Sequence, residues 1–448
     1  MNLILFRVVV AASLGGFLFG FDLSVISGST KALTDCFHLS DRGLGLTVSC
    51  AIWATAIGAL VSGWIAERFG RLFGLRLASW FFVLSGIGCA LAWNWGSLVA
   101  FRVAGGFAVG LSTVVCPMYI AEISPARLRG RLVLIFQTNI VVGILVAYVS
   151  NALLTPLNLG NEEWRWKLGA ETLPALVFIL ALLGLPQSPR WLVKRNRTEE
   201  AREALAFVGE PDPMGRVDDI LQTFASHPSE PLWQLKYHRP ILISFALVFF
   251  NNMAGISAVM NYLNDTFQYA GFSKAAGDLG AVIVGGMNFL FTIVAMFLID
   301  RLGRRTLLLI GAIGMIPSLL GMGAIFYLAS HQNLLIWCLV SYIMFFAISQ
   351  GAVIWVYISE IFPNRVRGRG EAVASFLSMV IGAAIALEYP VVRAHSVSFP
   401  FFFFSAMMLL QFWVVWRYFP ETKGVTLEEI QHKLGITEEI PSAVFLKP

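Results

Sequence analysis

Long apolar runs alternate with short polar stretches along most of this chain. A helix needs about 20 mostly apolar residues to cross the hydrocarbon core of a bilayer. Runs of that length recur near 6–29, 45–65, 75–95, 99–121, 132–155 and 167–186, and again near 240–264, 277–299, 306–330, 334–360, 370–392 and 399–419. The pattern predicts an all-α polytopic membrane protein with twelve transmembrane helices in two six-helix bundles. The stretch between the groups is too charged to cross a membrane. Within it, Thr198–Phe207 and Asp218–Phe224 read as short amphipathic helices on the cytoplasmic face, and Thr426–Leu434 in the tail reads the same way, with Thr426 as N-cap and Glu429 three residues on. The expected organisation is an N-terminal bundle over 1–190, a helical linker over 191–236, a C-terminal bundle over 237–420 and a tail over 421–448.

Composition removes the alternatives. Of 448 residues, 57% are hydrophobic and 13% charged, with 36 Phe and 13 Trp. Soluble proteins carry roughly a quarter charged residues, so a disordered chain, a nucleic-acid binder and a cytosolic enzyme are excluded. The N-terminal apolar run lacks a cleavage pattern and continues past Asp22, so it is not a leader. Five cysteines show neither disulfide nor metal spacing, and no metal or cofactor is expected. The excess of Lys and Arg in one set of short loops, including Arg68, Arg71, Arg129, Arg301, Arg304 and Arg367, orients that face and both termini toward the cytoplasm of a cell-membrane protein.

The two groups repeat one another. Glu67-Arg68-Phe69-Gly70-Arg71 recurs as Asp300-Arg301-Leu302-Gly303-Arg304, Glu122-Ile123-Ser124-Pro125 as Glu360-Ile361-Phe362-Pro363, and Pro186-Gln187-Ser188 as Pro420-Glu421-Thr422, all at offsets of 233–238 residues. Six spans per copy is an even number, so the copies are parallel repeats, an arrangement that places a substrate site near the midplane between them. Acids at fixed spacing from Gly and Arg point to gating ion pairs at the cytoplasmic helix ends: Glu67, Glu122, Asp300 and Glu360 against Arg68, Arg71, Arg129, Arg301, Arg304 and Arg367. These are expected to close when the protein faces outward and to break when it opens inward.

Ionisable residues inside the spans cost roughly 2.5–3.5 kcal/mol each at the bilayer centre, so they carry function by default. Asp22 lies in span 1, Arg102 near the start of span 4, Glu171 in span 6 and Glu388 in span 11. Pairing of Asp22 with Arg102 would offset both charges and create a proton switch, because protonating the carboxylate releases the arginine. A static pin between spans 1 and 4 is the alternative. Glu388, beside Pro390, either snorkels to the surface or pairs with Arg393. Buried amides and aromatic faces suited to a neutral, hydroxyl-rich ligand occur as Gln137, Asn251, Asn252, Ser257, Asn261, Asn288, Gln350 and Trp355. Singly, such polar residues also serve as glue between helices.

The chain resembles the sugar porter family of the major facilitator superfamily from about Phe17 to Gly424. The most specific phrase is Pro117-Met118-Tyr119-Ile120-Ala121-Glu122-Ile123-Ser124-Pro125 followed by Arg129-Gly130. Supporting phrases are Gly16–Gly28, Arg102-Val103 with Gly106 and Gly110, Trp164-Arg165-Trp166, Ser188-Pro189-Arg190-Trp191-Leu192 and Pro420-Glu421-Thr422-Lys423-Gly424. The nearest functional type is the bacterial proton-coupled monosaccharide symporter of the xylose, galactose and arabinose kind. The resemblance implies a major facilitator fold, proton coupling through Asp22, Arg102 and Glu171, and sugar contacts at Gln137, Asn288, Gly351 and Trp355 with Phe19 lining the pocket. Departures fall in the same pocket: Asn251 and Asn252 stand where the family usually has glutamines, Ser257 for asparagine, Asn261 for tyrosine and Met379 for an aromatic. Outside it, Ala352 replaces a frequent proline and Gln187 an acid.

No Walker A loop, HExxH, Ser-His-Asp arrangement or dinucleotide fingerprint occurs in a suitable context, so the chain is not expected to be an enzyme. The expected function is proton:monosaccharide symport by a monomer in the bilayer, with a monosaccharide or polyol and a proton as partners. A facilitative uniporter is the alternative within the class, and a sugar sensor the alternative outside it.

Overall fold

The computed structural model describes residues 3–125, 127–226, 231–363, 365–425, 429–430 and 434. Among these residues every regular element is helical. Among the described residues eleven helical segments are long and apolar enough to cross a membrane: Leu3–Gly28, Asp41–Phe69, Arg71–Ala90, Trp95–Ile123, Arg129–Leu157, Leu235–Asn261, Lys274–Leu302, Arg304–Leu328, Gln332–Ile361, Arg367–His395 and Phe399–Tyr418. They are spans 1–5 and 7–12. The sixth apolar run forms two shorter helices, Glu163–Gly169 and Thr172–Ala181, which meet at Ala170–Glu171. Pro174 explains the break: it has no N–H to offer the carbonyl of Ala170, and its ring crowds that carbonyl.

Several spans overrun their predicted ends. Span 2 stops at Gly70 and span 8 at Gly303, with φ of 97° and 90°. These equivalent glycines turn the chain at once into the next helix, a backbone conformation that any side chain would strain. Span 7 is interrupted at Gly255 (φ 83°), restarts as Ile256–Asn261, and is followed by a further short helix, Leu263–Tyr269. Span 10 contains a π-helical turn at Ala347–Gly351.

The apolar core has three main parts. One cluster, around Tyr119, Phe136 and Phe178, is built from the first six spans together with Val208. A second, around Tyr357, Phe362 and Phe419, belongs to the second six and the segments flanking them. A third bridges the halves, joining Phe21, Val25, Tyr148 and Trp164 to Tyr262, Phe267, Tyr342 and Phe404. Span 2 lies against span 11 and span 5 against span 8.

The linker forms three helices, Pro189–Lys194, Thr198–Phe207 and Pro213–Ser226. Its apolar side chains, among them Trp191, Leu205, Val217 and Ile220, make a small core of their own. The expected boundary at 190/191 therefore falls inside its first helix, and the expected helix over Asp218–Phe224 begins a turn earlier. Thr426 and most of the expected tail helix lie outside the described residues.

Candidate coupling and substrate site

Asp22 and Arg102 meet as a buried ion pair through Oδ1 and Nη1, with 4% and 3% of their surfaces exposed. Span 1 supplies the acid and span 4 the base, and small residues make the approach possible. A Cβ on Gly105 would sit 2.5 Å from Ser85 Oγ and 3.5 Å from Asp22 Oδ1. Glu171, exposed by only 2%, stands at the break in span 6 within Coulombic reach of both partners. Its Oε1 and the Nε of Arg102 have no hydrogen-bond partner among the described residues. The three ionisable residues expected together are together, and the assembly carries one acid more than it has bases.

The residues expected to contact a ligand divide into two groups. Gln137, Asn251, Ser257, Gly351, Trp355, Phe19 and Met379 are half-buried, while Asn252, Asn261 and Asn288 are buried. Asn252 Nδ2 donates to Val248 O at 2.9 Å and to Ser378 Oγ at 3.1 Å, which ties span 7 to span 11. Asn261 Nδ2 donates to Ser257 O at 2.7 Å. Gln350 turns away from the other half: its Nε2 donates to Gln411 Oε1 of span 12 at 2.6 Å. That amide is glue, as the second sequence reading allowed.

At the arginine-rich face the repeat is visible atom by atom. Arg71 grips Glu122 through Nε and Nη2 at 2.8 and 2.9 Å, and Ser188 Oγ donates to the same carboxylate. Arg304 binds Glu360 at 2.9 Å and Asp300 at 3.3 Å, and Thr422 Oγ1 donates to Glu360 at 2.6 Å. Tyr119 donates to Pro186 O at 2.7 Å, and Tyr357 to Pro420 O at 2.6 Å. Gln187 Oε1 accepts from Leu72 N and Ser188 N, both at 3.0 Å. Glu421 holds the matching place, accepting from the N–H groups of Arg304, Arg305 and Lys423 at 2.8–3.1 Å.

Two expectations for this face need correction. Glu67 pairs with Lys194 of the linker, at 3.7 Å, rather than with a neighbouring arginine. Its carbonyl also accepts from Trp191 Nε1 at 2.8 Å, so it anchors the linker. The Arg71–Glu122 and Arg304–Glu360 pairs form within each half and are made here although the halves are joined at the opposite face. Arg68 lies over the rings of Trp64 and Phe69, 5.7 Å from each centroid. Arg129 donates to Ala121 O at 3.0 Å, Arg301 O accepts from Lys423 Nζ at 2.6 Å, and the Nε of Arg367 is buried without a partner.

The opposite face holds a polar network that sequence reasoning missed. Ser27 Oγ donates to Asn264 Oδ1 at 2.9 Å, Thr30 Oγ1 to Asp265, Thr155 Oγ1 to Asp278 at 2.6 Å and Tyr148 to Met260 O at 3.0 Å. Each of these bonds joins the two halves. Glu163 pairs with Lys167 at 2.7 Å and, across the halves, with Lys274. Lys167 is fully buried and also donates to Gly28 O and Thr155 Oγ1, both at 3.1 Å. Arg393 pairs with Asp265 at 2.8 Å, not with Glu388, which is exposed. Hydropathy hides these charges because they sit near span ends, where they read as loop residues.

Two parallel six-helix repeats joined by a charged linker, with ionisable groups buried between their helices, define a membrane transporter of the major facilitator class rather than an enzyme. Residues 8–434 match the family described as sugar (and other) transporter, and the chain belongs to that family. It is 35% identical over 434 residues to the probable metabolite transport protein CsbC of Bacillus subtilis, covering 94% of this chain and 93% of the relative. It is 32% identical over 467 residues to the D-xylose-proton symporter of Escherichia coli, covering 95% of each. The inward-open conformation of the xylose transporter XylE from E. coli superposes with a TM-score of 0.85 at 31% identity, over 96% of this chain and 99% of that one.

Proposed function

We propose that the protein is a proton:monosaccharide symporter working by alternating access in the cell membrane. The halves 1–190 and 237–420 are the moving bodies, 191–236 and 421–448 lie on the cytoplasmic side with both termini, and one chain suffices because both halves of the pocket come from it. The observation that carries the reading is the buried cluster of two acids and one base, Asp22, Glu171 and Arg102. A proton on Asp22 removes the charge that holds Arg102. The guanidinium then turns to Glu171, whose free Oε1 accepts it, and the net charge buried in the span 1–4–6 interface falls to zero. Charge that is neutralised only when the proton is on board makes movement of the loaded carrier cheaper than movement of the half-loaded one.

Gln137, Asn251, Asn252, Ser257, Asn261, Asn288, Gly351, Trp355, Met379 and Phe19 form the pocket for a monosaccharide or polyol. The shorter amides at 251 and 252 leave room near spans 7 and 11. Arg71–Glu122 and Arg304–Glu360 set the geometry of the cytoplasmic helix ends within each half. The protein is an inward-facing carrier, closed on its outer side; the bridging core, the polar network and the likeness to an inward-open relative support this reading.

Reconstituted in proteoliposomes, Asp22→Asn is expected to lose accumulation against a gradient while keeping equilibrative counterflow. Uphill uptake at the parent rate in that variant overturns the assignment. Sugar uptake by the parent that carries no protons and ignores a protonophore makes the protein a uniporter instead. A counterflow panel of labelled pentoses, hexoses and cyclitols identifies the substrate.

A further inference from the structure

The arginine-rich end of the second half holds a feature that neither the pocket nor the coupling cluster uses. Between the first turn of span 7, the first turn of span 9, the last turn of span 12 and Leu434 of the tail runs a groove of about 830 Å³. Its mouth is lined by Arg239, Arg305 and Arg417, and no carboxylate lines it among the described residues. Arg305 is steered into place by donating to the carbonyls of Val415 and Trp416. Arg239 and Arg417 are exposed, and neither has an acidic partner among the described residues; the Arg417 guanidinium sits 5.4 Å from the ring centre of Tyr418.

One turn deeper the walls become apolar, with Leu242 and Ile243 on one side and Val414 on the other. Leu242 is 61% exposed on a helix long and apolar enough to cross a membrane. Trp413, Trp416 and Tyr418 are also more than half exposed around the same helix end, the place where amphipathic rings sit at the headgroup level of a bilayer. Cations at headgroup depth over an aliphatic wall fit a molecule that is anionic at one end and oily at the other. A soluble anion would satisfy the guanidiniums and leave the wall bare. A zwitterionic lipid would bring its own cation against three others.

We propose that this groove binds one anionic phospholipid, its phosphodiester held by Arg239, Arg305 and Arg417 and one acyl chain lying along spans 7 and 12. Bound there, the lipid staples the base of span 7 to the end of span 12. The test uses the full chain, delipidated in detergent, with lipid binding followed by native mass spectrometry. Phosphatidylglycerol is expected to bind one per monomer, and phosphatidylcholine with the same chains at least about tenfold more weakly. Arg239→Gln with Arg417→Gln should weaken phosphatidylglycerol binding about thirtyfold, the worth of two membrane-proximal arginines, and should keep the parent melting temperature without lipid. Removing as many charges from the same face of the other half, Arg76→Gln with Arg127→Gln, should leave binding intact.

Equal binding of the two lipids overturns the proposal, as does undiminished binding in the Arg239/Arg417 variant or an equal loss in the control variant. Displacement of the lipid by millimolar inorganic phosphate would reassign the groove to a soluble anion. A fall in the lipid-free melting temperature as large as the lost lipid stabilisation would make the arginines structural only.

Discussion

A single buried charge is tolerable only with its counter-ion, and the pairs here were unequally easy to foresee. Asp22 and Arg102 stand alone in apolar runs, so their charges were legible and their pairing followed from the cost of leaving either unpaired. Lys167, Asp265, Asp278 and Arg393 are equally hidden, but they sit close to polar loops, and the bonds from Thr30 to Asp265 and Thr155 to Asp278 span 235 and 123 residues of sequence. No periodicity carries that information. The Asp22–Arg102 pair should behave asymmetrically on substitution. Arg102→Ala leaves a buried acid without its base and is expected to cost about 3–5 kcal/mol, read as a lowered thermal midpoint in detergent. Asp22→Asn with Arg102→Gln should recover most of that loss. If the double variant melts no higher than Arg102→Ala, the ion pair is not what the arginine contributes. Glu421 and Gln187 allow a cleaner comparison, because they hold equivalent places at helix starts. Glu421→Gln should cost about 0.3–1 kcal/mol, the worth of a carboxylate at a helix N-terminus, and an unchanged midpoint would show the amide to be as good.

At the scale of elements, apolar run length located the eleven long helices found among the described residues and the shorter pair at the sixth run, but not the irregular turns inside spans 6, 7 and 10. Span 6 is interrupted because Pro174 removes a hydrogen bond, and that interruption sets Glu171 at a helix start beside the ion pair. Pro174 was visible in the sequence, but nothing local said whether the helix would bend or break. Span 7 breaks at Gly255, whose φ of 83° is closed to most side chains; here the run of polar residues around it gave the warning. The contact of span 2 with span 11 depends on a missing side chain. A Cβ at Gly45 would stand 2.1 Å from the carbonyl oxygen of Leu387 in the other half, and backbone cannot yield that far. Gly45→Trp is therefore expected to hold this face open. Spin labels placed on spans 2 and 11 near that face should report a longer distance in the variant, and net sugar transport should fall at least tenfold. A distance distribution matching the parent would show that the halves can close without this approach.

The whole molecule is two copies of one bundle that share a core on one side only, and the polar network there decides how often that side stays shut. The repeat itself was legible, since loop phrases at a constant offset require it. Which side is closed was not, because both states must be written into one sequence with nearly equal free energies. On the proposed alternating-access reading, their difference depends on the bonds that join the halves at this face, such as Thr30–Asp265 and Lys274–Glu163. Removing Thr30–Asp265, a hydrogen bond to an ionised carboxylate, forfeits about 1.5–3 kcal/mol. The Lys274–Glu163 pair, half exposed at its lysine, adds about 0.2–1 kcal/mol. Thr30→Val with Lys274→Gln should then move the equilibrium toward the form open on this face by roughly twentyfold to nine-hundredfold. Linkage fixes a second consequence: a ligand that binds the form open on this face more tightly than the other form must show a lower apparent dissociation constant as that form becomes more populated, until it predominates, whereas a ligand with equal affinity for both shows no change. Distance measurements across this face without sugar, together with sugar binding in detergent, test both halves of the argument at once. Tighter binding with no change in the distance distribution would mean that the substitutions act on the pocket and not on the balance between states.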